Sequence, residues 1–265
     1  MRIAKLPYLN CVPFYASLAL PPGRGITLVD CVPREAAAKL SAGELDAGPV
    51  PLADFLRQRD GLDRLGRLGI AVRGQVKSAM LFSKLPIRQL DGRVVAVTEQ
   101  SSMTACLLRL LLERRYGIRP AEYVRADEAG ADAQLLIGDD ALRLGERNTR
   151  YPYEIDIGME WWLWQHAPCV FAVWAVKRGA AVDDKRGLEA ALAKALAGNL
   201  GRLDALAREH APPRGLTPDR AQAYLAAFVY RFGADEERSI DRFAELADAT
   251  GVLIAEARAG AAVIA

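Results

Sequence analysis

The stretch Thr98-Glu99-Gln100-Ser101-Ser102-Met103-Thr104 gathers four hydroxyl side chains where an apolar run gives way to an amphipathic one. A strand that ends there and a helix that starts there leave backbone N–H groups unpaired at the positive end of the helix dipole. Such a place attracts a carboxylate or a phosphate. Ser101, Ser102 and Thr104 are therefore candidate binding residues, although a serine that only caps the helix fits the same pattern. Ser78, in Gly74-Gln75-Val76-Lys77-Ser78, is a further hydroxyl at a strand position, where an isolated serine usually has a structural role. Asn10 follows Pro7-Tyr8-Leu9 and precedes Pro13, where a first strand turns. Open α/β sheets bind ligands at that end of a strand, and asparagine also serves there as a plain turn residue. Asp139, in Gly138-Asp139-Asp140, stands directly after an apolar run and suits either a general base or the cap of the next helix. His166 and His210 are the only histidines, and neither has the cysteine, serine or carboxylate neighbours of a triad or metal site. Gly23-Arg24-Gly25 lies in a Pro-rich turn and opens no helix, so no phosphate loop or dinucleotide fingerprint is present. Hydrogen-bond donors that grip a small anion, with no metal and no cofactor, are the chemistry these residue types offer.

Donors of this kind act only if a scaffold brings them together. Short apolar runs alternate with amphipathic stretches over the first two thirds of the chain, the pattern of an α/β protein with a largely parallel sheet. Residues 3–6, 26–31, 44–51, 71–83, 94–98, 133–137 and 170–176 read as strands or β-rich segments. Residues 35–41 and 107–116 read as helices, and the tryptophans at 161, 162 and 164 read as a helix with core-facing rings. After Asp183 the texture becomes long Ala-rich helices, broken near Pro212-Pro213, at Thr217-Pro218 and at Gly233.

At 265 residues the chain suits one large domain or two modest lobes. No linker separates two halves, which suits a chain that crosses between lobes twice, near residues 83–86 and 173–177. Lobe 1 is then expected over residues 1–83 and 175–265, lobe 2 over residues 84–174, with a ligand in the cleft. Hydrophobic residues are 51% and charged ones 26%, the balance of a folded globular protein. The formal net charge of +2 is too weak to argue for nucleic acid or an anionic membrane surface. No apolar stretch approaches the roughly 18 residues of a membrane span. The first ten residues do not read as a secretory signal, and Cys11, Cys31, Cys106 and Cys169 form no C-x-x-C pair. Four reduced, buried cysteines in a cytoplasm are expected.

Taken in order, several blocks resemble the chorismate dehydratase family of the futalosine route to menaquinone. They are Pro7-Tyr8-Leu9-Asn10-Cys11-Val12-Pro13, GELDAGPVP from Gly43, Gly74 with Ser78 and LFS from Leu81, and Ser101-Ser102-Met103-Thr104. Further along come Leu135-Leu136-Ile137-Gly138-Asp139, Asp156-Ile157-Gly158 with Trp161 and Trp164, Val170-Phe171-Ala172-Val173-Trp174, and Tyr230-Arg231-Phe232-Gly233. The resemblance implies a two-lobed fold like that of the type II periplasmic binding proteins. It also implies a hydro-lyase that needs no cofactor and converts the dicarboxylate chorismate to 3-[(1-carboxyvinyl)oxy]benzoate and water. Ser78, Ser101, Ser102 and Thr104 would then bind substrate. Asn10 would position it or assist the leaving hydroxyl. The base would be the enolpyruvyl carboxylate of the substrate itself, with Asp139 as the alternative.

The chain departs from the family in two places. Met103 and Ala105 stand where members usually have arginine and serine, and His166-Ala167-Pro168-Cys169 replaces a usual Gly-Leu-Pro-Phe. Two other functions fit the same residues: a non-catalytic receptor for a small carboxylate, and the sibling dihydroxynaphthoate synthase. The sibling carries histidine near the position of Gly138.

Overall fold

In the computed structural model, which describes residues 1–20, 25–100, 102–125 and 130–253, most of the apolar runs are strands. In chain order the strands are β1 (Arg2–Lys5), β2 (Thr27–Asp30), β3 (Ala47–Pro51), β4 (Leu62–Val72), β5 (Ala79–Ser83), β6 (Val94–Val97), β7 (Glu122–Arg125), β8 (Ala133–Ile137), β9 (Tyr153–Asp156), β10 (Cys169–Lys177) and β11 (Phe228–Arg231). The helices are α1 (Val12–Tyr15), α2 (Pro33–Ser41), α3 (Leu52–Arg57), α4 (Ser102–Leu110), α5 (Gly138–Arg147), α6 (Ile157–Gln165), α7 (Val182–Leu200), α8 (Leu203–His210), α9 (Pro218–Ala226) and α10 (Ala234–Thr250).

The chain forms two units. The first holds Met1–Ala71 and Val170–Gly233; the second holds Val72–Cys169 and the C-terminal chain from Ala234. This differs from the expected lobes in three respects, the smallest being that the second crossing falls at residues 169–170 and not near 173–177. The first crossing falls at residue 71, ahead of β5, because β5 is an inner strand of the second sheet, paired to both β8 and β9. Residues from 234 onward also leave the first unit, because α10 packs on α6. Trp161 is buried with its ring 6.1 Å from that of Phe243, and its Nε1 donates to Ser239 Oγ at 3.3 Å.

Each unit is built on one sheet. The first has the order β11-β4-β10-β3-β1-β2, and the second β7-β6-β8-β5-β9. Both are mixed where a largely parallel sheet was expected, since β10 runs antiparallel to β3, and β5 to both β8 and β9. In the first unit Phe14 of α1 meets the rings of Trp174 and Tyr230 edge-on at 5.4 and 5.5 Å, which ties the turn after β1 to β10 and β11. Asn199 of α7, fully buried, donates to the Pro13 carbonyl at 2.9 Å and fixes the same turn from the other side. In the second unit the helix expected at 107–116 starts five residues earlier, at Ser102, and continues into a π-helical turn over Leu111–Arg115.

Candidate functional site

Register aligns one edge of the second sheet. Val97 of β6, Leu135 of β8, Leu81 of β5 and Ile155 of β9 lie in a single cross-sheet row. Because β6, β8 and β9 run the same way, the chain beyond that row enters α4, α5 and α6 at one edge, and β5 enters from Ser78 there. Three helix N-termini therefore share the edge where parallel strands end, the usual ligand end of an α/β sheet.

The three helices differ in what already occupies those N-termini. Helix α5 carries Asp139 and Asp140 in its first turn. Helix α6 is capped by Asp156, whose carboxylate accepts from Met159 N at 3.0 Å. The first turn of α4 has no acidic residue and begins with Ser102 and Thr104, both buried. Just before it, Gln100 N donates to Thr98 Oγ1 at 3.3 Å, and Glu99 is neutralised by Arg125 at 3.1 Å. An added anion thus meets the least competition at α4. Ser101, also predicted for this site, lies outside the described residues.

Ser78 is buried, and its carbonyl accepts from Gly138 N at 2.8 Å, which joins β5 to the start of α5. Gly138 has φ 59°, a left-handed conformation that glycine adopts without strain. Asp139 is half-buried inside the first turn of α5 and not at its cap, where Ile137 stands, so the predicted capping role does not describe it. The structure thus gathers Ser78, Ser102, Thr104 and Asp139 at one sheet edge.

Asn10 belongs to the first unit. It sits half-buried in the 3-10 turn Leu9–Cys11 that comes after β1, and its Oδ1 accepts from Cys11 Sγ at 3.5 Å. Its amide nitrogen has no hydrogen bond to a described residue, so two donors remain available.

Two residues at the second-unit edge escaped the sequence analysis. Asp156 accepts from Val76 N at 2.9 Å and Lys77 N at 2.7 Å, besides capping α6. Burial pushes its carboxyl above the usual carboxylate range, against the opposing pull of N–H donors from Lys77, Met159, Val76 and Gly158. An aspartate between a β-run and a helical run is an N-cap pattern, and that signal was present in Asp156-Ile157-Gly158. Lys77 is exposed and forms no ion pair among the described residues.

Of the departures from the family pattern, Met103 and Ala105 fall at the start of α4 itself, and the stretch from His166 to Cys169 follows the far end of α6. Met103 and Ala105 are each 1% exposed, packed in the core of the second unit. Of the three tryptophans expected to face the core, Trp161 is buried, while Trp162 and Trp164 are half-buried. His166 ends α6, the opposite end from the site edge, and His210 ends α8 in the first unit. All four cysteines are buried thiols outside any disulfide. No helix among the described residues is long and apolar enough to cross a membrane. A recess of about 840 Å³ lies around Met1, Asp46 and Lys177, at the opposite ends of β1 and β3 from Asn10, and holds none of the predicted residues.

Solved structures establish the fold. A protein of Archaeoglobus fulgidus superimposes with a TM-score of 0.75 at 17% identity, covering 95% of this chain and 97% of that one. The periplasmic aliphatic sulphonate binding protein of Escherichia coli gives a TM-score of 0.64 at 14% identity, over 96% of this chain and 93% of its own. A Candida albicans protein described as having the generic periplasmic-binding-protein fold gives 0.65 at 12% identity, over 98% and 95%. At those identities the likeness carries the fold and nothing finer. Among sequences, a chorismate dehydratase of Thermus thermophilus is 31% identical over 257 residues, covering 90% of this chain and 92% of its own. Residues 1–249 match the model of the family described as menaquinone biosynthesis. On that match, the chain belongs to the menaquinone-biosynthesis family.

Proposed function

We propose that this chain is a chorismate dehydratase, a hydro-lyase that converts chorismate to 3-[(1-carboxyvinyl)oxy]benzoate and water in menaquinone biosynthesis. The observation that carries the reading is the first turn of α4, free of acidic residues and lined by Ser102 and Thr104, at the ligand edge of a chain 31% identical to a chorismate dehydratase. A substrate carboxylate placed there gains the helix N-terminus and charge-assisted hydrogen bonds. Ser78, which stands in the turn ahead of β5 and not at the strand position expected for it, contributes from two strands along the sheet, and Lys77 supplies positive charge near an edge where Met103 offers none.

The chemistry is an elimination that needs neither an oxidant nor a Lewis acid to balance. The ring hydrogen on the carbon bearing the enolpyruvyl ether is conjugated through a ring double bond to the ring carboxylate. Its bonding pair becomes a ring double bond, the C–O bond of the neighbouring hydroxyl breaks, and the hydroxide departs with a proton as water. Aromatisation drives the step. The enzyme must hold both carboxylates and stabilise negative charge that spreads onto the ring carboxylate, work suited to preorganised donors. The enolpyruvyl carboxylate takes the proton, since a tethered base beside its target needs little basicity. Asn10, with its amide donors available, assists the leaving hydroxyl. Four buried thiols outside any disulfide suit a reducing cytoplasm as the site of the reaction.

A solute receptor would share the fold, but family membership favours the enzyme. The sibling synthase reading loses support at Gly138, near which that synthase carries a histidine and this chain has none. Incubation of purified protein with chorismate alone should produce the aromatic ether, followed by its absorbance and mass. Turnover no faster than the spontaneous background would refute the assignment.

A further inference from the structure

The turn over residues 73–78 delivers Ser78 to the site, yet it has little regular structure of its own to hold it. Its backbone takes two left-handed steps, at Gly74 (φ 98°) and at Lys77 (φ 59°). The second is unfavourable for a residue with a Cβ and must be held from outside. Two anchors are present. At the near end Arg73 pairs with Glu236 at 2.9 Å and Asp235 at 3.1 Å on α10. At the far end the Asp156 carboxylate receives the N–H groups of Val76 and Lys77, the two residues immediately before Ser78. The same carboxylate caps α6 through Met159 N. The turn lies so close against α6 that a Cβ on Gly158 would stand 2.8 Å from the Gly74 carbonyl oxygen.

We infer that Asp156 is a positioning residue for the reaction, acting through the Val76–Lys77 backbone to set where Ser78 stands against substrate. The inference rests on the proposed dehydratase activity and on Ser78 as a binding residue. Asp156 itself has its oxygens occupied by backbone donors and does not act as the base. Its effect passes from carboxylate to turn, from turn to Ser78, and through the Ser78 carbonyl to Gly138 N at the start of α5.

Two measurements on the full chain test this. Amide hydrogen exchange, which needs no substrate, should speed up at Val76, Lys77 and Gly138 in Asp156→Asn, while β6 and β8 stay protected. Unchanged exchange at those three amides overturns the inference. In a double-mutant cycle with chorismate, Asp156→Asn should lower kcat/KM by about 10²-fold, the scale of a misplaced positioning group. Most of that loss should vanish in a Ser78→Ala background, because the two residues act as a unit. Losses that simply multiply would mean that Asp156 only supports the fold, and would overturn the inference. Should Asp156→Asn prove unfolded by thermal melt, Asp156→Glu replaces it. That variant keeps the charge and both acceptors but moves them by one methylene, and it should show the same non-additivity. If the wild-type protein fails to turn over chorismate, the activity reading falls, and the exchange measurement alone decides Asp156.

Discussion

The two units end their parallel strands in different ways. In the second unit each of the aligned strands β6, β8 and β9 runs into a helix of nine or ten residues, so backbone N–H groups and dipoles collect at one edge. In the first unit β2 enters the nine-residue α2, whose first turn Glu35 already occupies, while β1 leads into the 3-10 turn Leu9–Cys11 and the four-residue α1, and β3 into the six-residue α3. Helices so short have little dipole to offer. The end of β1 instead carries the Asn10 amide and an aromatic packing of Phe14, Trp174 and Tyr230. The contrast is a division of groups: the second unit's edge collects donors suited to charge, and the end of β1 in the first presents a neutral amide. Similar topology thus acquires different chemistry from the length of the helix that each strand enters and from whether an acidic residue already sits in its first turn.

If that division is right, Asn10→Ala should lower kcat by about 10²-fold, comparable to losing one preorganised donor, while KM moves little. A variant whose KM rises and whose kcat is unchanged would place Asn10 among the charge-binding groups and break the contrast. Ser102→Ala should do the opposite, weakening substrate binding by about 1–3 kcal/mol through loss of a hydrogen bond to a charged group. Unchanged affinity and turnover, measured by calorimetry and steady-state kinetics, would reduce Ser102 to a structural residue.

Asp139→Asn should cost less than about 10-fold in kcat, because the substrate carboxylate is the base. A folded variant that loses the roughly 10² to 10⁴ typical of a missing general base would return that role to Asp139. The smallest effect concerns stability. With its folded carboxyl raised above the unfolded value of about 3.9, Asp156 binds its proton more tightly in the native state. Its contribution is therefore fully present below the unfolded value and is lost as pH rises through the folded one. Thermal melts of wild type and Asp156→Asn should accordingly differ by an amount that shifts against wild type as pH rises above about 4, then levels off. A shift in the other direction would mean that the N–H donors outweigh burial.

Sequence was most informative where one interaction dominates. The buried strands β6 and β8 were legible as continuous apolar runs, and the hydroxyls before α4 marked a helix start. Strand β4 was not legible along most of its length. In Leu62-Asp63-Arg64-Leu65-Gly66-Arg67-Leu68-Gly69 the leucines recur every third residue among charges and glycines, which obscures strand alternation. One of its glycines is required by a neighbour distant in sequence: a Cβ on Gly69 would stand 2.5 Å from the Ala172 carbonyl oxygen of β10. The placement of α10 was hidden for the same reason, since its partners Arg73, Trp161 and Pro168 lie more than 70 residues away. Of the site, the serine, threonine and aspartate side chains gathered at the second-unit edge could be named from sequence. The Asp156 anchor could not, because its importance lies in which distant backbone it holds.

A crystal structure of the protein with bound chorismate or its aromatic product tests the central claim most directly. A carboxylate is expected within hydrogen-bond distance of the Ser102 hydroxyl and the first backbone N–H groups of α4, with Ser78 also in contact. A ligand whose carboxylates both lie away from the α4 N-terminus would contradict it.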